Sequence, residues 1–192
     1  MFDTVLVAGL GLMGGSMAKT IKARTLSRVL GWNRTRATAE QALADGSIDA
    51  IATDALFREV DLVIIGLYPQ ATVDWLLENM PKMKKGCVIV DMVGVKQFMV
   101  DHLEQAALDA GVHYVGGHPM AGREFSGLDY ALPTLFDGAS MIFVPTRSSS
   151  ERILSQLEAY FMSLGFGQTV RCTAEQHDHM IAFTSQLAHV VS

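Results

Sequence analysis

The sequence predicts an α/β fold built on a doubly wound, mostly parallel sheet, and three observations predict it. Short β-branched runs alternate with segments of helical apolar spacing almost to the end of the 192 residues, the rhythm of βαβ units. Residues 61–67 (Asp-Leu-Val-Ile-Ile-Gly-Leu) are nearly all apolar, as in a strand buried on both faces. The first strand–helix junction carries glycines at 9, 11 and 14, so that a tight turn leads from an apolar strand into a helix.

Each element follows from local pattern. Residues 4–8 form a β-branched run closed by Gly9. Met13, Met17 and Ile21 recur at helical spacing over 13–23. Residues 28–33 read as a second strand, and 38–45 as a helix that Gly46 ends. Ile51 and Ala52 suggest a short third strand, and 61–67 the fourth. Residues 72–80 form a helix stopped by Pro81. The next strand is 87–92 and the next helix 98–110. Tyr114 and Val115 lead into Gly-Gly-His-Pro-Met-Ala-Gly at 116–122. Residues 141–145 form another strand. A helix follows over 150–164, with Ser150 as its cap and Gly165 closing it. There is no internal repeat and no low-complexity linker.

The last segment, 174–192, is helical and two-sided. Met180, Phe183, Leu187 and Val190 make an apolar stripe. Asp178, Ala182, Ser185, His189 and Ser192 make a mostly polar one. The helix ends without a cap, glycine or proline, so a following all-α domain is expected beyond it. The expected division is a nucleotide-binding domain over 1–170 and the first helix of a truncated C-terminal helical domain over 171–192.

Composition narrows the class. Apolar residues make up 49% of the chain, ample for a core, and the net charge is −5. That charge argues against a partner that is nucleic acid or an anionic membrane. Cys87 and Cys172 are the only cysteines and read as buried free thiols. No Cys/His spacing suggests a metal site. No signal-type segment opens the chain, and no apolar run approaches the ~20 residues of a membrane span. A cytoplasmic location is expected.

The glycine motif predicts dinucleotide binding on a Rossmann-type domain. Gly9 permits the turn, Gly11 lets the backbone approach the pyrophosphate, and Gly14 allows close helix–strand packing. Leu12 and Met13, at the entry to the helix whose N-terminus faces the negative charge, are expected to bind the cofactor. The alternative is a flavodoxin-like turn without a dinucleotide. The end of the second strand bears on which dinucleotide. It reads Trp32-Asn33-Arg34-Thr35-Arg36, with no carboxylate to bond a ribose 2′-OH and two arginines suited to a 2′-phosphate. NADP is expected, with NAD as the alternative if Arg34 only stacks on adenine. Leu67, Tyr68 and Pro69 end the fourth strand, where such folds line the cofactor's ribose.

His118 stands among four glycines (116, 117, 122 and 127) that leave little side chain to pack, at the strand ends where open α/β sheets bind ligands. The combination of Gly-Leu-Gly-Leu-Met-Gly-Gly-Ser at 9–16, Gly-Gly-His-Pro-Met-Ala-Gly-Arg-Glu-Phe-Ser-Gly at 116–127 and Thr-Ser-Gln-Leu-Ala-His-Val-Val-Ser at 184–192 resembles the prephenate dehydrogenase family, which includes arogenate and cyclohexadienyl dehydrogenases. The resemblance spans essentially the whole chain, and the His-Pro motif is its specific part. It implies oxidative decarboxylation of prephenate or arogenate with hydride transfer to a nicotinamide cofactor, in tyrosine biosynthesis, and a homodimer made by a C-terminal domain. It implies that His118 accepts a hydrogen bond from the substrate's 4-hydroxyl. Glu124 would stand near the mouth of the substrate pocket. Ser185 and His189, four apart and so on one helix face, would approach the nicotinamide and substrate.

Three departures stand out. Where the family often has serine in Asp-x-x-Ser-x-Lys, supporting the catalytic histidine, this chain has Gly94, between Asp91 and Lys96, and Gly94 is expected among the cofactor-binding residues. Gln186 and Ala188 replace the usual His and Pro of the last motif. The arginine that binds the substrate's carboxylate belongs to the family's C-terminal domain and has no counterpart here. Among other residues, His177 and His179 read as a solvated helix start, and His102 and His113 as surface or strand-edge residues. Two other readings are another NADP-dependent Rossmann oxidoreductase, of 3-hydroxyacid dehydrogenase or imine reductase type, and a non-catalytic NADP-binding regulatory module. The first is disfavoured by the absence of lysine from 165–192. The second would not need His118, Glu124, Ser185 and His189 together.

Overall fold

A computed structural model describes residues 2–190, with side chains described through residue 183. Among the described residues, eight strands form one sheet in the order β3-β2-β1-β4-β5-β6-β7-β8. They are β1 (Thr4–Ala8), β2 (Arg28–Trp32), β3 (Ala50–Ile51), β4 (Leu62–Ile65), β5 (Val88–Asp91), β6 (His113–Pro119), β7 (Ser140–Val144) and β8 (Gln168–Arg171). The helices are α1 (Leu12–Arg24), α2 (Arg36–Ala44), α3 (Pro69–Asn79), α4 (Gln97–Ala110), α5 (Glu151–Ser163) and α6 (Ala174–Val190). All strand pairs are parallel except β6 with β7. The sheet is therefore the doubly wound, mostly parallel one that the sequence predicts.

Strand alternation divides the core between two faces. Val5 and Val7 of β1, with Leu62 and Ile64 of β4, pack beneath Met17 and Ile21 of α1 and Leu157 and Phe161 of α5. Leu6 and Ala8, with Val63 and Ile65, pack against Val73 and Leu76 of α3 and Met99 and Leu103 of α4. Burial on both faces is why β4 reads as an unbroken apolar run. Ser150 caps α5, its hydroxyl accepting from Ile153 N. Pro81 opens a short 3₁₀ turn after α3 (Met80–Lys82) as well as ending the helix.

Two elements depart from the sequence reading. The strand expected only at Tyr114 and Val115 runs on to Pro119, so His118 lies inside β6. The strand first pairs in parallel with β5 through Val115, then antiparallel with β7 from Gly116 to Pro119. Its glycines pack tightly: a Cβ on Gly117 would lie 2.3 Å from the Asp91 carbonyl oxygen. The expected lack of packing is thus overturned at Gly116 and Gly117, whereas Gly122 and Gly127 have nothing within 4 Å of where a Cβ would be. Strand β8 was not anticipated. Its pattern of mostly exposed residues is that of a sheet edge and carries no apolar run. Cys87 is buried and free as expected, whereas Cys172 is half-exposed. No helix among the described residues is long and apolar enough to cross a membrane.

Candidate functional site

The glycine loop joins β1 to α1 and has the geometry expected of it. Gly9 has φ +90°, and a Cβ there would lie 2.7 Å from the Gly66 carbonyl oxygen. A Cβ on Gly14 would lie 1.8 Å from the Gly9 carbonyl oxygen, so the helix can approach the strand only without a side chain here. Gly11 has nothing within 4 Å of where its Cβ would be, leaving the backbone open to the cleft. Helix α1 has no side-chain N-cap. Its first N–H groups and the positive end of its dipole are left for an anion.

The cleft in front of this loop has a volume of about 780 Å³. Gly9, Gly11, Leu12 and Met13 form its floor, Asn33, Arg34 and Thr35 one end, and Leu67 and Tyr68 a wall. The segment 122–127, following the histidine strand, also lines the cleft with Arg123 and Phe125. Asn33 braces the loop: its Oδ1 accepts from Leu10 N at 3.0 Å and its Nδ2 donates to the Thr35 carbonyl. Arg34 is exposed and makes no ion pair or hydrogen bond among the described residues. Arg36 instead pairs with Glu40, one turn along α2. Gly14, Arg36, Pro69 and Gly94 do not line the cleft. Its outer wall on α3 carries Asp74 and Glu78, acidic groups for which sequence reasoning gave no signal. Size, open glycine backbone and uncapped helix end fit a dinucleotide.

His118 stands on β6, three strand spacings from β1 in the sheet order, about 14 Å at the usual separation. A Cβ on Gly94 would lie 3.8 Å from both Nε2 and Cε1 of His118. Nδ1 of His118 lies 2.8 Å from Nε2 of His177, and Nδ1 of His177 lies 2.7 Å from Oδ1 of Asp178. The expectation of a solvated helix start therefore fails for His177, which is fully buried, while His179 is exposed. Asp178 also caps α4, accepting from Lys96 N at 2.8 Å and Gln97 N at 2.9 Å. Burial favours its neutral form, but these N–H donors and His177 outweigh that and hold its carboxyl below the ordinary range.

Beneath His118 lies a buried polar cluster. The side chains of Asp91 and Lys96 are both 0% exposed and form an ion pair. Lys96 Nζ donates to the Gly117 carbonyl at 2.7 Å, and the Tyr114 hydroxyl donates to Asp91 Oδ2 at 2.7 Å. Burial, and then the Asp91 charge, raise the Tyr114 phenol well above its ordinary value. The cluster holds the backbone that carries His118. Burial, then His177 and the Lys96 cation, lower His118 to about 4; it is a neutral imidazole at neutral pH.

Glu124 is exposed and makes no hydrogen bond or ion pair among the described residues. The side chains of Ser185 and His189 lie outside the described residues. Sequence reasoning missed His177, Asp178 and Tyr114 as members of the site. His177-Asp178 was visible as a pair of titratable groups, but nothing local marks it as buried. No group of three or more metal-ligating side chains is found among the described residues.

Comparison with known proteins places this geometry among relatives. The family model described as prephenate dehydrogenase, nucleotide-binding domain, matches residues 17–168. The chain is 33% identical to prephenate dehydrogenase of Bacillus subtilis over 196 aligned residues, covering all of this chain and 52% of that protein. Its structure resembles prephenate dehydrogenase from A. aeolicus in complex with hydroxyphenyl propionate and NAD+ (TM-score 0.89, 26% identity, covering 100% of this chain and 67% of that one). It also resembles Synechocystis arogenate dehydrogenase (TM-score 0.86, 26% identity, covering 96% of this chain and 64% of that one). The chain spans about half the length of the Bacillus subtilis protein.

Proposed function

The chain belongs to the prephenate dehydrogenase family and carries its nucleotide-binding domain, and on that premise we propose that it serves the oxidative decarboxylation of prephenate or arogenate to 4-hydroxyphenylpyruvate or tyrosine. The observation that carries this reading is His118. It is a neutral imidazole on the strand beside the cleft, held from behind by His177 and open in front at Gly94. The glycine loop and the α1 N-terminus would hold the pyrophosphate, and Arg34 and Thr35 the adenosine ribose. A nicotinamide held in the cleft would supply the hydride acceptor for ring C4 of the substrate. His118 accepts the hydrogen bond of the 4-hydroxyl, whose proton must be taken up as C4–H leaves and the oxygen gains carbonyl character. Loss of the ring carboxylate as CO₂ returns its electron pair to the ring, which becomes aromatic. The protein therefore has only to align C4 and manage one proton.

NADP is the proposed cofactor. Support comes from the unpaired Arg34 at the cleft end and from β2 ending without a carboxylate. NAD remains the alternative, as the A. aeolicus relative is seen in complex with NAD+ and Asp74 and Glu78 also line the cleft. The same proposal includes Glu124, Ser185 and His189 as substrate-side residues, a helical domain from residue 171 on, a homodimer and a cytoplasmic location. The test is reduction of NADP+ and NAD+ driven by prephenate and by arogenate, on this chain and on a form extended to the relatives' length. His118→Asn should keep cofactor affinity and lower kcat by roughly 10²–10⁴, the worth of one positioned proton acceptor, with much less change in KM. Near-normal kcat in this variant refutes the role of His118. A second reading is a module that binds cofactor without turning over. Cofactor binding with no turnover in either form would select it.

A further inference from the structure

We propose that His177 and Asp178 form a relay that locks His118 with its proton on Nδ1, leaving Nε2 as a bare acceptor facing Gly94. The inference deepens the proposed reaction and rests on it only for the identity of the group that Nε2 would meet.

The hydrogen-bond roles follow from one end of the chain of contacts. The Asp178 carboxylate can only accept. It is ionised, because the N–H groups of Lys96 and Gln97 and the ring of His177 all converge on its oxygens. The bond at 2.7 Å therefore requires a proton on Nδ1 of His177. With its ring proton placed on Nδ1 in this way, His177 presents a lone pair at Nε2. That lone pair is 2.8 Å from Nδ1 of His118, so His118 must donate there. One proton remains for neutral His118 and it is spent, which leaves Nε2 unprotonated. Free histidine prefers the opposite tautomer, with its proton on Nε2, in which state it could not accept a hydroxyl's hydrogen bond there.

The other groups around the ring fit this assignment. Lys96 and Asp91 lie below it as a buried ion pair, with Lys96 committed to Asp91 and the Gly117 carbonyl. Neither competes for Nδ1 or Nε2. Gly94, on the exposed side, places no side chain against Nε2. Asp178 does double work in the relay. By capping α4 it ties α6 to that helix, so the aspartate that sets the tautomer is held by backbone rather than by another mobile side chain. His177 is thus a positioning residue whose effect is on which nitrogen accepts.

The test is nitrogen NMR of the full chain labelled with ¹⁵N-histidine, free of any substrate, at neutral pH. His118 and His177 should each show a protonated Nδ1 and an unprotonated Nε2. Signals are assigned by their loss in His118→Asn and His177→Phe. In His177→Phe, which fills the site without an acceptor, His118 should move to the Nε2-protonated form or to fast exchange between the two. A wild-type His118 protonated on Nε2, or a His118 that stays purely Nδ1-protonated in His177→Phe, overturns the relay. If His177→Phe fails to fold, the wild-type spectrum alone decides. The readout is independent of turnover. The expected tautomers with no reaction of prephenate or arogenate would sink the proposed reaction and leave the relay standing; turnover with His118 protonated on Nε2 would do the reverse.

Discussion

At the scale of single residues, the charges around the cleft make separable predictions. Arg34 has no partner of its own among the described residues and lines the end of the cleft. Arg34→Ala should weaken NADP by about 1.5–3 kcal/mol, the loss of a charge-assisted contact, and leave NAD nearly unchanged. Titration of both cofactors checks this, and equal weakening would indicate adenine stacking. His118 makes a prediction about pH. Its folded value of about 4 lies below the ordinary 6.5, so the unfolded chain binds more protons between those values. Stability from this group is complete above about 6.5 and is lost as pH falls toward about 4. The urea midpoint of wild type should therefore fall over that window more steeply than that of His118→Asn. Lys96 is the counter-case, a charge buried for structure. Lys96→Met leaves the Asp91 carboxylate buried without its cation and should cost about 3–5 kcal/mol, measured by denaturant unfolding.

At the scale of elements, the site depends on how closely helices and strands approach. Helix α1 reaches β1 only because residue 14 has no side chain: a Cβ there would sit 1.8 Å from the Gly9 carbonyl oxygen. Gly14→Ala must push the helix away from the loop. It should abolish dinucleotide binding by calorimetry while the far half of the sheet keeps its hydrogen-exchange protection. Strand β6 is the second such element. It changes partner from β5 to β7 within its length, which carries His118 beyond the end of β5 and toward α6. The exposed Met180 and Phe183 of α6, at 42% and 66%, are half of the apolar stripe that the sequence marks, and they face away from the sheet's core.

For the whole molecule, the two cysteines report on cooperativity. Burial pushes Cys87 up to about 12, so in the folded chain it is an inert thiol. Cys172 is half-exposed. A thiol reagent at pH 8 should modify Cys172 in the native chain and Cys87 only at the rate of global unfolding. Two fast thiols would show that the β5 region opens by itself.

The sheet and the nucleotide loop were legible in the sequence because their causes are local. A φ of +90° at Gly9, the period-two burial of β1 and the unbroken apolar run of β4 each leave a mark within a few residues. His118 stands out in the sequence as part of a local motif, and its role is the proposal made above. What only the tertiary structure decided is everything that acts on His118. His177 is 59 residues away in sequence and Lys96 and Asp91 more than 20. Strand β6 and helix α6 bring these groups together only once the sheet has formed. A histidine followed by aspartate in the first turns of a helix has the same local pattern whether it meets water or another imidazole. The difference is made by the docking of that helix on α4, a long-range contact that has no periodicity to read.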